Sequence, residues 1–376
     1  MKILLVSMNS IHFRRWSDQL RESGHELFWF DILDQGYAPS MDYITQITGW
    51  KKGFLRKRGR TFLKNKLPRL YNALVHKYDT PVDIAFAKAL QEIQPELVHS
   101  FALQMACIPI ICIMERNPQL KWIYSSWGTD LFMPEVLSIE PKMLIAVLER
   151  VNFLITDCHR DHEIALSYGF KGSFLGVFPG NGGTDFKTCT NEATKKNGIL
   201  IKAYQDDLGR GDLIAKALLS MKEKLAGVPI YIIGASINRV YLELETWEAV
   251  TIFKRTQPLS QAKLFNLFEE CFMYVAVSHS DGMPNMLIEA MGHALFPIQS
   301  NPGNVMSEII VDGVNGFLLS TSATKKDITS SIEKAIKNRD ALKDQMVITS
   351  IHIQEKYNRL RWKTIIAQAY ETMAPI

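Results

Sequence analysis

Short apolar runs rich in β-branched residues alternate with longer amphipathic stretches along nearly the whole chain. That alternation is the mark of βαβ units, in which parallel strands are joined by helices. In the first half the strands read as KILLVS, LFWFDI, LVHSF, KWIYSS, NFLIT and SFLGV, and in the second as GILIKAY, VPIYIIG, AVTIFK, FMYVAV, ALFPIQS and NGFLL. Between them lie helical patterns such as HFRRWSDQLRESG, for which Gly24 is the expected C-terminal stop. Residues 178–186, FPGNGGTDF, form the densest Gly/Pro cluster and divide the two series. With 376 residues, two domains are also the default from length. The expected fold is therefore α/β: two tandem Rossmann-like doubly wound domains with a cleft between them. The N-terminal domain covers residues 1–180 and the C-terminal one residues 187–350. Residues 351–376 form a C-terminal helix that crosses and packs back on the N-terminal domain.

Composition narrows the function classes. Hydrophobic residues make up 47% and charged residues 22%, ordinary globular usage, and the net charge of +4 is too mild for a nucleic-acid binder. The charge is concentrated, however: nine basic residues and no acidic one fall between Lys51 and Arg69. They sit in an insertion at about residues 41–80, interleaved with Trp50, Phe54, Leu55, Phe62, Leu63, Leu67, Leu70 and Leu74. This segment reads either as a solvated basic helical hairpin or as a cationic amphipathic surface for an anionic membrane or a phosphorylated acceptor. No nucleic-acid-binding motif accompanies it. The five cysteines have no CxxC pair and read as buried free thiols of a reducing compartment. The start MKILLVSMN has no signal-peptide h-region, and no apolar run approaches ~20 residues. A cytoplasmic protein, peripheral on the membrane through residues 51–69, is the resulting expectation.

Doubly wound sheets bind ligands at the carboxyl ends of their strands. The loop after the first strand, SMNSIHFRR, has no glycine, and neither GxGxxG nor a Walker A pattern stands at any strand-to-helix junction. An ordinary NAD enzyme and a P-loop ATPase are disfavoured. The informative stretch is residues 278–319, beginning SHSDGMPNMLIEAMG. Asp281, Gly282 and Met283 form a loop, and Pro284 is expected in the first helical turn, where it sacrifices no bonded N–H. The amides of Asn285 and Met286 then point at an anion. Glu289, two turns on in an apolar helix, needs a partner to offset desolvation. A ribose diol would serve, and so would a lysine at a helix edge.

This stretch resembles the donor-binding motif of retaining glycosyltransferase family 4 enzymes of the GT-B fold, Glu-x7-Glu followed by a Pro/Gly-rich loop and a second Glu. The matching positions are Asp281, Gly282, Pro284, Glu289, Ala290, Gly292, Pro302, Gly303 and Glu308, with Asp281 in place of the first Glu. The resemblance puts Asp281 on the donor sugar hydroxyls and Glu289 on the ribose. GILIKAYQDDLGRGDLIAKAL is similar to the family's segment that presents two cations to the nucleotide diphosphate. Arg210 matches the second cation. Tyr204 stands where the first would be, and Lys202 is the nearest substitute. Surface charges near a turn are the plainer reading of both. In the first domain, His12 is either a substrate contact or a helix-capping residue, and His99 either a ligand contact or a core histidine. YSSWGTDLF is similar to a loop in which relatives carry His before Gly. Trp127 holds that place, with Gly128 and Thr129 beside it, and Asp130 is the carboxylate left to orient an acceptor hydroxyl.

What the resemblance implies is a metal-independent, retaining hexosyl- or N-acetylhexosaminyltransferase. It would move a sugar from a nucleotide-sugar, foremost a UDP-sugar, to a hydroxyl of a glycan or polyprenyl-linked acceptor in bacterial-type surface polysaccharide assembly. No cofactor is expected beyond that co-substrate. The alternatives are a sugar-nucleotide epimerase or phosphorylase of the same fold, and a non-catalytic, membrane-associated sugar-nucleotide-binding module.

Overall fold

In a computed structural model, residues 1–51, 66–67, 79–186 and 196–373 are described. They form two units. The first comprises Met1–Asp157, Asp161–Gly182 and Lys363–Ile376; the second comprises Cys158–Arg160 and Gly183–Trp362.

The first unit holds seven strands: β1 (Lys2–Ser7), β2 (Glu26–Asp31), β3 (Thr45–Ile47), β4 (Leu97–Phe101), β5 (Lys121–Ser125), β6 (Phe153–Thr156) and β7 (Ser173–Val177). They pair in parallel in the order β3-β2-β1-β4-β5-β6-β7, so the winding reverses between β1 and β4. Leu4 stands opposite Phe28 on one side and Val98 on the other. Strands so enclosed carry apolar side chains on both faces, which is why Ile3, Leu4, Leu5 and Val6 are all fully buried. The last residues of the chain return to this unit. There Tyr370 is buried and its hydroxyl accepts from Trp16 Nε1 at 3.4 Å.

The second unit holds β8 (Gly198–Lys202), β9 (Ile230–Ala235), β10 (Val250–Lys254), β11 (Cys271–Ala276), β12 (Phe296–Ser300) and β13 (Phe317–Leu319). Their order is β10-β9-β8-β11-β12-β13, again all parallel, with the reversal between β8 and β11. Ile199, Ile201, Met273 and Val275 face one apolar layer, while Leu200, Tyr274 and Ala276 face another. Helices on both faces complete the doubly wound arrangement.

Every strand read from the sequence is present. Among the described residues one more was not foreseen: β3, the tripeptide TQI, which pairs with β2 at the edge of the described sheet. Edge position removes the apolar alternation that betrays a strand, so the start of the supposed insertion belongs to the sheet. Trp50, just beyond, stacks on Phe30 at 5.4 Å and gives its indole N–H to Asp31 O. Lys51 and Lys66 are described, but the rest of the basic cluster, residues 52–65 and 69, lies outside the described residues, as do Leu70, Leu74 and Cys189. The helix expected to run to Gly24 stops earlier, at Asp18, and turns lead to Gly24, whose φ of 73° closes them. No helix among the described residues is long and apolar enough to cross a membrane.

Candidate functional site

In the second unit, β8 delivers Lys202 to the carboxyl edge of the sheet, and residues 203–210 fold back beside it. Arg210 N donates to Val277 O at 2.9 Å and His279 N to Leu208 O at 2.8 Å, zipping this loop onto the segment that follows β11. Gly211 permits the tight return, since a Cβ there would lie 2.3 Å from Ala203 O. The two strands flanking the winding reversal thus carry one continuous loop surface.

Lys202 and Asp281 meet on that surface, with Nζ 3.4 Å from Oδ2. Burial opposes the Lys202 charge, but Asp281, Tyr274 and Tyr204 around it more than compensate and hold the ammonium above its ordinary range. Gly282, Met283 and Pro284 are buried behind Asp281. Pro284 is the N-cap of helix Asn285–Gly292, one position earlier than expected, and no side chain caps the helix. Its carbonyl accepts from Ile288 N at 3.1 Å, so the amides of Asn285, Met286 and Leu287 precede the intrahelical ladder. Glu289 lies in the same helix, only 4% exposed. The loop after β12 contributes Pro302 and Gly303, with Gly303 at φ 59° and Glu308 ending the 3₁₀ stretch.

Arg210, expected as the second cation, is held by backbone carbonyls. It is the N-cap of helix Gly211–Leu219, and its Nη1 and Nη2 donate to Thr321 O at 2.6 Å and Ala323 O at 2.9 Å. Two of its five donors therefore tie the loop to the turn after β13. Tyr274, which the sequence analysis did not single out, is fully buried, and its hydroxyl has no hydrogen-bond partner among the described residues. It lies in the electrostatic reach of Lys202, Asp281, Tyr204 and Glu289. A tyrosine inside the otherwise apolar run FMYVAV was the available signal.

In the first unit the expected residues separate into two groups. His12, in the first turn of helix Ile11–Asp18, and Trp127, after β5, meet edge to face with ring centroids 6.0 Å apart. Both are partly exposed, and Phe101 at the end of β4 lies 6.2 Å from Trp127. Ser10, not His12, caps the helix, through the Phe13 amide. Thr129 follows Gly128, whose φ of 84° turns the chain into the short helix Thr129–Phe132.

His99 and Asp130 belong to the interior instead. The His99 ring is fully buried; Nε2 bonds Ser125 Oγ at 2.7 Å and Nδ1 bonds the Tyr370 hydroxyl. Burial among Trp16, Phe101 and Tyr370 pulls its pKa down to about 3, so it is a neutral core histidine. The Asp130 carboxylate accepts from Leu103 N (2.8 Å), Tyr124 Oη (2.8 Å) and Trp127 N (3.1 Å). Burial raises its pKa and those three donors lower it, with burial prevailing. It anchors the loop that presents Trp127.

No curated protein matches this chain. Solved structures match its fold over the whole length. Sucrose-phosphate synthase from Thermosynechococcus elongatus is 15% identical, with a TM-score of 0.70 and 99% of each chain covered. HepE from Anabaena, in complex with UDP-glucose, is 12% identical, with a TM-score of 0.68 and coverage of 99% of this chain and 100% of that one. The lipopolysaccharide outer core galactosyltransferase WaaB is 15% identical, with a TM-score of 0.63 and 100% of each chain covered. At these identities the likeness establishes the fold class, two Rossmann-like units of the GT-B type. Residues 193–350, which span the second sheet from β8 to β13 with Lys202, Asp281 and Glu289, match the family described as Glycosyl transferases group 1.

Proposed function

We propose that this chain is a retaining glycosyltransferase that moves a sugar from a nucleotide-sugar, foremost a UDP-sugar, to a hydroxyl of a glycan acceptor. The observation that carries the reading is the pairing of Lys202 with Asp281 just before the uncapped helix start at Asn285, with Glu289 buried in that helix, all inside the matched segment. Each group answers a part of such a donor. Glu289 accepts from the two ribose hydroxyls, Asp281 from the sugar, and Lys202 with the amides of Asn285 and Met286 takes the diphosphate. UDP-glucose bound to HepE, a protein of the same fold, supports the choice of donor.

In the reaction the bond from the anomeric carbon to the diphosphate oxygen breaks, and the electron pair leaves on the phosphate. The acceptor oxygen bonds to the same face of that carbon and passes its proton to the departing phosphate. Fixed positive charge at Lys202 stabilises the anion as it develops, which lowers the barrier without a protein nucleophile or a metal. His12 and Trp127 form the acceptor-facing surface of the first unit. The acceptor is a lipid-linked glycan, drawn by the basic residues 51–69 to an anionic membrane. Product analysis by NMR tests the reading: transfer from UDP-sugar with retained anomeric configuration, undiminished by EDTA, is expected. An inverted product, or activity restored only by Mg²⁺ or Mn²⁺, would overturn the corresponding part.

A further inference from the structure

Arg210 is tied to two backbone carbonyls, which raises the question of what shares the diphosphate charge with Lys202. A second cation stands nearby. Arg255 follows β10, and its amide donates to Ala235 O at 3.0 Å, fixing it to the carboxyl end of β9. Its Cζ lies 5.3 Å from the centroid of the Tyr204 ring, and Lys202 Nζ lies 5.6 Å from the same centroid. One aromatic ring therefore holds two cations, from the ends of β8 and β10, by the attraction of its π-system.

The ring has a fixed seat. It lies against Gly234, whose φ is 76°, and a Cβ there would fall 1.8 Å from Tyr204 Cε1. Only glycine allows the tyrosine to cross the end of β9 and reach from one cation to the other. Each cation is also held by an acid: Lys202 by Asp281, and Arg255 by Asp206 through Nη1 to Oδ2 at 3.1 Å. The Arg255 and Asp206 side chains are both nearly half exposed, so this pair can exchange partners in water at little cost. A diphosphate bears more charge than a carboxylate and accepts a guanidinium's parallel N–H groups in a two-point contact.

We propose that Arg255, positioned by Tyr204 and Asp206, supplies the second positive charge for the donor's diphosphate beside Lys202. The inference rests on reading residues 193–350 as a nucleotide-sugar site, and it identifies which side chain that site uses where Tyr204 interrupts the cation pattern.

Calorimetric binding of UDP and of uridine to the full chain separates the two ideas. For Arg255→Ala we expect UDP affinity to fall about 10–100-fold with uridine affinity unchanged, the loss shrinking as salt is raised. Arg255→Lys should recover part of the loss. Tyr204→Arg combined with Arg255→Ala should recover more than Tyr204→Ala combined with it, because charge is returned to the same edge. Melting curves check that each variant is folded. If the wild-type protein binds UDP and Arg255→Ala binds it equally well, the assignment of Arg255 is wrong and the donor-site reading stands. If the wild-type protein binds neither UDP, GDP nor ADP at millimolar concentration, the reading itself falls and this inference with it.

Discussion

The ammonium of Lys202 lies 3.4 Å from the carboxylate of Asp281, joining the end of β8 to the loop after β11 across the point where the strand order reverses. A partly exposed pair of this kind contributes little to stability, about 0–1 kcal/mol. Its consequence is competitive: an anion that binds Lys202 shares the ammonium with Asp281.

Asp281→Ala should therefore tighten UDP binding, by about 2–5-fold given the worth of the pair, while lowering turnover with a UDP-sugar. On the proposed reading the two effects have opposite signs, because the carboxylate would compete with phosphate but hold the sugar. Titration calorimetry and initial rates on the same preparation check it. Weaker UDP binding in the variant would place Asp281 in the nucleotide contact instead.

Glu289→Gln keeps volume and hydrogen-bonding length but loses the charge that, on the proposed reading, accepts from two vicinal ribose hydroxyls. Hydrogen bonds to a charged group are worth about 1.5–3 kcal/mol, so UDP affinity should drop roughly 10–100-fold. Affinity for 2′,3′-dideoxy-UDP should be unaltered. Equal losses for both nucleotides would remove the ribose from this residue.

Asp130→Asn is expected to damage the first unit and spare the second. The amide turns an N–H toward one of the three donors now satisfied by the carboxylate, at a cost of about 1–3 kcal/mol. The melting temperature should fall by several degrees, with UDP affinity unchanged. A variant that melts like the wild type but loses only acceptor turnover would return Asp130 to the substrate.

His99 predicts an acid-side loss of stability. Its pKa is about 3 in the folded protein against an ordinary 6.5, so between those values the unfolded chain binds the extra proton. Stability is unaffected by this group above pH 6.5 and declines as the pH falls below it, by at most about 1.4 kcal/mol per pH unit. His99→Gln should flatten the fall in melting temperature between pH 6.5 and 4.5. An unchanged slope would mean that other groups control it.

The basic cluster carries a prediction of its own, on residues outside the described ones. Replacing Arg56, Lys57, Arg58 and Arg60 by Ser removes about 1 kcal/mol of attraction per residue that faces an anionic bilayer. Co-sedimentation with phosphatidylserine vesicles should disappear while UDP binding persists. Equal sedimentation of wild type and variant would favour a soluble acceptor.

The sheets were legible because buried parallel strands advertise themselves as unbroken apolar runs, and only the three-residue edge strand β3 lacked that signal. The loop after β11 could be singled out because Asp281, Pro284 and Glu289 are spaced along one chain segment. Arg255 and Tyr274 could not, since Arg255 reaches the Tyr204 ring from the end of β10 and Tyr274 comes near Lys202 from β11, and only the fold brings them together. The buried settings of His99 and Asp130 were hidden for a related reason. Both residues stand at strand ends or loops, where substrates bind, and nothing in the local sequence reveals that Tyr370 and Leu103 have already claimed their polar atoms.

The return of the final residues to the first unit has a consequence for biosynthesis. A ribosome releases the strands of the first sheet well before Tyr370, which follows all of the second unit. Domains tend to fold in the order of their synthesis. Here, however, the N-terminal sheet must wait with the Trp16 indole and the His99 imidazole short of the phenol that joins them. A nonsense codon a few triplets before Tyr370 would therefore be felt far upstream, at Trp16 and His99.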